Sequence, residues 1–265
     1  MMKKFVLTAM AVIAIAAVTL NGSVIYSDNF DGSSSADVNG TTPDISATGA
    51  SWVAATGFQA DGSFSGTYKS MTLEFTPVDA MIYTLKASFS NVSTANWIAF
   101  GYASGQSTAT GGYNRFVSTN GNVIGKAWCL YKGITKVSSH TYAATDGYGG
   151  PEMALSGAVD VRIILDTTAG PGNWAAQWYA RDPSDSTYTL VRAKKILPNQ
   201  TINSVGFANN GTTGKIESFS LEASEAAVNP VPASMETGVA LDATLYWDAG
   251  TDVATGTYAD VSEYH

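Results

Sequence analysis

The sequence Ile82-Tyr-Thr-Leu-Lys-Ala-Ser-Phe89 alternates apolar side chains with mostly polar ones. Residues two apart share one face of an extended chain, so Tyr83, Leu85 and Phe89 lie together. The opposite face carries Lys86 between hydroxyl side chains. An apolar stripe on a helix would instead recur every 3 to 4 residues. The segment therefore predicts an antiparallel strand that is buried on one face.

The same period of two recurs on both sides of this segment. It appears in Val159-Asp-Val-Arg-Ile-Ile-Leu-Asp166 and, in shorter form, in segments 174–179, 202–207 and 216–222. Glycine-rich and asparagine-rich turns separate these segments, and no long amphipathic helix is evident. Roughly a dozen strands at this spacing predict an all-β, antiparallel β-sandwich.

The N-terminus has the pattern of a secretory signal peptide. Lys3 and Lys4 precede an apolar run from Phe5 to Leu20. The run is shorter than the roughly 20 residues of a membrane span, and polar residues follow it at once. We expect residues 1–22 to be a signal peptide, with an uncleaved N-terminal anchor as the alternative. The protein is then secreted or on the cell surface, without a membrane span after processing.

Composition narrows the classes of partner. The formal net charge is −8, and it becomes −10 when the two leader lysines are lost. Such an acidic chain does not attract phosphate backbones or anionic lipids, so no nucleic-acid partner is expected. Cys129 is the only cysteine, which precludes an internal disulfide. Its alternating neighbours predict a buried thiol that packs as a small hydrophobic group.

The alternating pattern divides the chain into regions. Residues 23–223 form the predicted sandwich, and residues 224–232, with Pro230 and Pro232, are typical of an extended linker. Residues 233–265 again alternate but are fewer than the roughly 40 that an unstapled domain needs. The tail either docks on the sandwich or begins a second domain, and the second interpretation is favoured.

Several segments carry a family resemblance. Asp28-Asn-Phe-Asp-Gly32, Val159 to Thr167, and Gly214-Lys-Ile-Glu-Ser-Phe-Ser-Leu221 resemble the concanavalin A-like lectin/glucanase superfamily, in the laminin-G-like form of secreted bacterial proteins. The resemblance implies an antiparallel jelly-roll β-sandwich. Segment 229–250 resembles the opening of an immunoglobulin-like or fibronectin type III-like repeat. Together they imply part of a larger modular extracellular protein with a glycan or protein partner.

The residues for catalysis are missing from the sequence. The endoglucanase branch of the superfamily carries Glu-x-Asp-x-x-Glu on one strand, and none of the seven glutamates begins that pattern. His140 and His265 are the only histidines, and no Gly-x-Ser-x-Gly elbow occurs. We therefore expect a noncatalytic protein, with a divergent glycoside hydrolase as the remote alternative.

Calcium is the one cofactor that the resemblance suggests. Asp28 and Asp31 are the weak candidate ligands, and Asp146 and Asp166 are further carboxylates that could contribute. No Asp-x-Asp-x-Asp-Gly loop is present, and aspartate beside glycine is also typical of turns. No other cofactor is expected.

Two loops have the composition of a sugar site, which needs an aromatic face and polar partners for hydroxyls. The predicted loop 138–152 contains four of the candidates and the predicted loop 102–115 the other two: His140, Tyr142, Asp146, Tyr148, Tyr113 and Asn114. They predict carbohydrate binding or adhesion. The alternative is a structural spacer or protein-interaction domain without a ligand site.

Overall fold

A computed structural model of the chain describes residues 23–106, 108, 124–142, 147–225, 228–231 and 246–248. In this part of the chain every element of regular secondary structure is a β-strand. The strands are β1 Ser23–Asp28, β2 Ile45–Ser46, β3 Val53–Ala54, β4 Ser63–Phe64, β5 Lys69–Glu74, β6 Met81–Ser90, β7 Ile98–Ala103, β8 Gly125–Tyr131, β9 Ser138–His140, β10 Tyr148–Gly149, β11 Val159–Asp166, β12 Ala175–Arg181, β13 Thr189–Ile196, β14 Ser204–Asn209, β15 Gly214–Glu225, β16 Val228–Val231 and β17 Tyr246–Asp248.

Two antiparallel sheets make up the sandwich. The eight-stranded sheet has the order β13-β12-β11-β6-β15-β1-β2, and β4 pairs with β15 outside this path. The seven-stranded sheet has the order β10-β9-β8-β7-β14-β5-β3. Both sheets contain neighbours that are distant in sequence, such as β6 with β15 and β7 with β14, because the chain crosses between the layers. The predicted all-β, antiparallel jelly-roll β-sandwich is confirmed.

The core lies between the two sheets and is rich in aromatic rings. As predicted, the apolar face of β6 is buried, including Leu85 and Phe89. Phe207 of β14 lies 5.0 Å from the ring of Phe100 and 5.8 Å from that of Phe219, between ring centroids. The predicted burial of Cys129 is confirmed, and desolvation raises the pKa of its thiol to about 12.

Both ends of the sandwich emerge beside each other. Strand β1 pairs antiparallel with β15, and Ser23 lies opposite Ala223. Strand β15 continues to Glu225, two residues beyond the predicted end of the sandwich, and β16 lies inside the predicted linker 224–232 and pairs with β17. The predicted signal peptide and most of the predicted segment 233–265 lie outside the described residues. Within those residues, no helix has the length and apolar character of a membrane span.

Candidate functional site

The outer face of the eight-stranded sheet carries a groove with a volume of about 370 Å³. Because alternate residues face outward, Lys86 and Ser88 of β6 share this face with Asp160 of β11 and Ser218 of β15. The ladder register places Ser27 of β1 directly opposite Ser220. We call this site the serine groove; its polar lining includes Ser27, Asn29, Lys86, Asp160, Ser218 and Glu222.

Two ion pairs hold the charged groups of the serine groove in place. Lys86 Nζ lies 2.8 and 2.9 Å from the two carboxylate oxygens of Glu222. Arg181 Nε donates to Asp160 Oδ2 at 2.9 Å, and Ser88 Oγ donates to Asp160 Oδ1 at 2.6 Å. These contacts fix where donors and acceptors are presented to a ligand.

Polar side chains without protein partners lie beside these ion pairs. Within the described residues, the hydroxyls of Ser27 and Ser218 and the side-chain amide of Asn29 make no hydrogen bond. Asn29 is held only through its backbone N–H, which donates to Asp44 Oδ2 at 2.9 Å. All three groups line the serine groove, so they converge on one volume with their hydrogen-bonding capacity unused.

Arginine and tyrosine side chains alternate at the β12 end of the groove. Arg162 Cζ lies 4.4 Å from the ring centroid of Tyr179 and 4.5 Å from that of Tyr188. Arg181 Cζ lies 4.6 Å from the same Tyr188 ring. Burial raises the pKa of the Tyr188 phenol, so this ring stays neutral at ordinary pH. We call these four side chains the Arg–Tyr cluster; they are attracted through cation–π contacts.

The two carboxylates of the groove are far apart. Asp160 of β11 lies opposite Ser88 of β6, and Glu222 of β15 lies opposite Thr84 of β6. The two carboxylates are therefore on strands that flank β6, at positions four residues apart along it. Standard strand spacings give about 16 Å between their Cα atoms. Glycosidase carboxyl pairs are about 5–10 Å apart, and each carboxylate here is instead bonded to its own cation.

Two residues of the sequence-predicted ligand site meet on the outer face of the seven-stranded sheet. The His140 ring stacks on Trp128 with centroids 3.8 Å apart, and Trp128 Nε1 donates to the carbonyl of Tyr142 at 3.1 Å. Lys126 Nζ lies 4.7 Å from the Tyr142 ring centroid, and burial lowers the pKa of Lys126. The expectation that Ser138 to His140 is loop was wrong: these residues form β9, because they pair with β8 and become buried.

Tyr148, a third predicted ligand residue, is not on this face. Tyr148 of β10 is 52% exposed and pairs with Ser139, whose side chain faces away from that of His140. Its ring centroid lies 5.9 Å from Arg192 Cζ. The remaining candidates lie outside the described residues: Asp146, Tyr113 and Asn114.

The weak calcium candidates have separate environments. Asp28 accepts hydrogen bonds from Trp52 Nε1 at 2.7 Å and from the backbone N–H of Phe30 at 2.9 Å. Burial raises the pKa of Asp28 despite these bonds, and Asp31 is exposed. Asp28 therefore anchors Trp52 in the core. Nowhere in the described ranges do three histidine, cysteine, aspartate or glutamate side chains gather as a metal site would need.

A glycine pair lies at the centre of the seven-stranded sheet. Gly101 of β7 is directly opposite Gly206 of β14. A Cβ atom on Gly101 would lie 2.3 Å from the carbonyl oxygen of Ala127, and one on Gly206 would lie 2.1 Å from that of Met71. Neither contact is sterically possible, so glycine is required at both positions for the strands to pair.

Comparison with known proteins gives structural likenesses only. No family model matches the chain, and no curated protein is similar in sequence. The Lotus tetragonolobus seed lectin is 12% identical with a TM-score of 0.44, over 67% of this chain and 94% of the lectin. The VIP36 exoplasmic/lumenal domain, solved in a Ca²⁺/Man2-bound form, is 10% identical with a TM-score of 0.46, over 84% and 96%.

A GH43 protein from Bacillus licheniformis, BlXynB, is 12% identical with a TM-score of 0.41, over 74% of this chain and 39% of that protein. Lectins are thus among the solved structures to which this sandwich is similar. The fold assignment itself rests on the strand order, and no site residue is transferred from these proteins. The immunoglobulin-like or fibronectin-like character of the tail stays a prediction.

Proposed function

We propose that this protein is a noncatalytic carbohydrate-binding module whose ligand lies in the serine groove. One observation carries the proposal: the unused polar groups of Ser27, Asn29 and Ser218 converge on a volume that two ion pairs border. Binding sites for small polar ligands combine a concave surface with a few convergent polar groups of this kind.

The chemistry of the lining matches sugar hydroxyls. A hydroxyl group donates one hydrogen bond and accepts others, so it can bridge a carboxylate and a cation. Glu222 and Lys86 offer this combination on one side, and Asp160 and Arg181 offer it on the other. Because the lining runs from β12 to β2, the groove crosses about 24 Å of sheet. Such an open, elongated surface is suited to a saccharide chain.

The absence of catalysis is part of the proposal and has its own support. Asp160 and Glu222, the two carboxylates of the groove, are separated by the whole width of β6 and are each bonded to a cation. The export of the protein, and its place in a larger modular surface protein, remain proposals that rest on residues 1–22 and 229–250.

The loop residues predicted from the sequence define a second place for a glycan. Tyr148 is half exposed beside Arg192, and Tyr142 presents a ring next to Lys126. Together with His140, Asp146, Tyr113 and Asn114 they remain a proposed site. The buried stack of His140 on Trp128 gives those two rings a structural role, so Tyr142 and Tyr148 are the residues to test there.

A glycan array and a polysaccharide pull-down with the full chain test the proposal. We expect a glycan to bind, and the double substitution Ser27→Ala with Ser218→Ala to weaken binding about thirtyfold, because each of the two lost hydrogen bonds costs about 1 kcal/mol. Ser224→Ala is the matched control, since Ser224 faces outward from the same strand as Ser218 but does not line the groove.

Each other outcome has a definite meaning. If Tyr142→Ala or Tyr148→Ala weakens binding and the serine double variant does not, the loop site is the correct one. If the folded protein binds no glycan, the carbohydrate proposal is wrong and the structural spacer is the better interpretation.

A further inference from the structure

We infer that the saccharide in the serine groove carries a carboxylate, as a hexuronic acid does, and that Arg162 binds this carboxylate. The inference rests on the proposed function and concerns the class of sugar. It begins from the position of Arg162, which lies directly opposite Lys86 in the ladder between β11 and β6. Arg162 also lies over the ring of Tyr188. Lys86 and Tyr188 line the groove, and Arg162 borders it through these two contacts without lining it.

Arg162 lacks the hydrogen-bond acceptors that its neighbour has. Arg181 donates to Asp160 Oδ2 and, at 3.2 and 3.4 Å, to the carbonyls of Asp185 and Ser186. Arg162 makes no ion pair or hydrogen bond with any described residue, and its Nε is buried without an acceptor. The ring faces of Tyr179 and Tyr188 attract its charge but cannot accept its in-plane N–H groups in the way that a carboxylate does.

The local charge balance favours one negative charge on the ligand. Lys86 and Arg181 are neutralised by Glu222 and Asp160, so the charge of Arg162 is the surplus on this surface. The chain as a whole has a formal charge of −8, so most of its surface repels an anion. An anion therefore binds where positive charge is in local excess. The rest of the acidic surface repels additional negative charge, so the ligand that fits best carries a single carboxylate at this point.

The shape of guanidinium favours a carboxylate over other anions. Its planar fork of N–H groups pairs with the two oxygens of a carboxylate in the same plane. The rings of Tyr179 and Tyr188 hold the guanidinium and restrict its rotation. We therefore place the carboxylate of one sugar ring at Arg162 and the hydroxyls of the neighbouring rings toward Ser218 and Ser27, which lie two and three strands away.

Isothermal titration of the full chain with otherwise neutral oligosaccharides that carry a single galacturonate or mannuronate residue, and with the methyl esters of both, tests this inference. The ester keeps the sugar ring and removes the charge. We expect at least one free acid to bind about tenfold more tightly than its ester, with a difference that shrinks as salt is added. Arg162→Gln removes this preference, so that acid and ester bind with equal affinity, whereas Arg162→Lys keeps part of it because charge remains without the fork.

The control is Arg192→Gln, which alters an arginine over Tyr148, outside the serine groove. Equal binding of acid and ester, or an acid preference that survives Arg162→Gln in folded protein, overturns the carboxylate inference and leaves the proposed function standing. A second probe is an oligosaccharide without uronic acid that carries one sulfate group. If it binds as tightly as the free acid, the choice of carboxylate is overturned. If neither acids, esters nor neutral glycans bind, the proposed function is overturned as well.

Discussion

The two outer faces of the sandwich differ although both follow from the same alternating pattern. On the seven-stranded sheet the outward residues include Ala99, Ala103, Ala208 and Trp128, all fully buried, and Trp97, Ile124 and Leu130 pack against them. On the eight-stranded sheet the outward residues are serines and paired charges that border a groove. The alternating pattern gives each strand one face toward the core and one face away from it. The side chains on the outer face determine whether that face is covered or remains open to a ligand.

The largest effect is expected from breaking the covered face at its glycine pair. Gly206→Ala places a Cβ atom 2.1 Å from the carbonyl oxygen of Met71 in β5, so β14 and β5 must separate. We expect a loss of about 3 kcal/mol or more in the free energy of unfolding, or failure to fold. Urea denaturation measures this. Gly149→Ala is the control, because its nearest contacts lie 4.0 Å away on a lysine side chain, and a similar loss there would contradict the explanation.

An intermediate effect is expected from breaking the open face at its better buried ion pair. Asp160→Ala removes the acceptor of Arg181 and of Ser88, and the Asp160 side chain is only 11% exposed. We expect a loss of about 2 kcal/mol, since hydrogen bonds to charged groups contribute more than neutral ones. Glu217→Ala, in the exposed pair with Lys215, should cost less than about 1 kcal/mol. Equal losses in the two variants would show that burial of the pair does not matter.

The smallest effect on unfolding free energy is expected from replacing one lysine on each outer face, Lys126 on the covered face and Lys86 on the open one. Burial lowers the pKa of Lys126 in the folded protein below its ordinary value of 10.5. The unfolded chain then binds more protons between these two pKa values, so folding gains stability as pH rises toward 10.5. The Lys126→Met variant lacks this gain. We expect Lys126→Met to have a larger free energy of unfolding than the natural protein, because it buries no charge. This difference should be greatest at neutral pH and should shrink by pH 10. Lys86→Met removes an ion-paired lysine and should show no such advantage.

Sequence analysis predicted the faces of the strands but not the neighbours of each strand. The alternation at Ile82 to Phe89 correctly assigned Leu85 to the core and Lys86 to the outer face, because the side-chain period depends on the backbone alone. The pairing of Ser27 with Ser220 joins opposite ends of the domain, and no local pattern contains that register. The serine groove therefore escaped prediction, although its outward serines and charges were visible in each strand.

The predicted loop site shows a different limit of sequence analysis. His140 and Tyr142 attracted interest because their residue types suit sugar binding. Burial depends on pairing, however, and the pairing of His140 with Trp128 turns the histidine into a packed ring of the sheet. Composition alone could not separate exposed rings from covered ones.

The pairing of Ser23 with Ala223 has a mechanical consequence. A load applied through these two ends would act across a single pair of antiparallel strands, β1 and β15, at the point where they begin. The bonds between them would then open in succession, as in a zipper, instead of resisting together. A sandwich tethered at both ends in this way would yield at low force and lengthen, absorbing strain before its core is pulled apart.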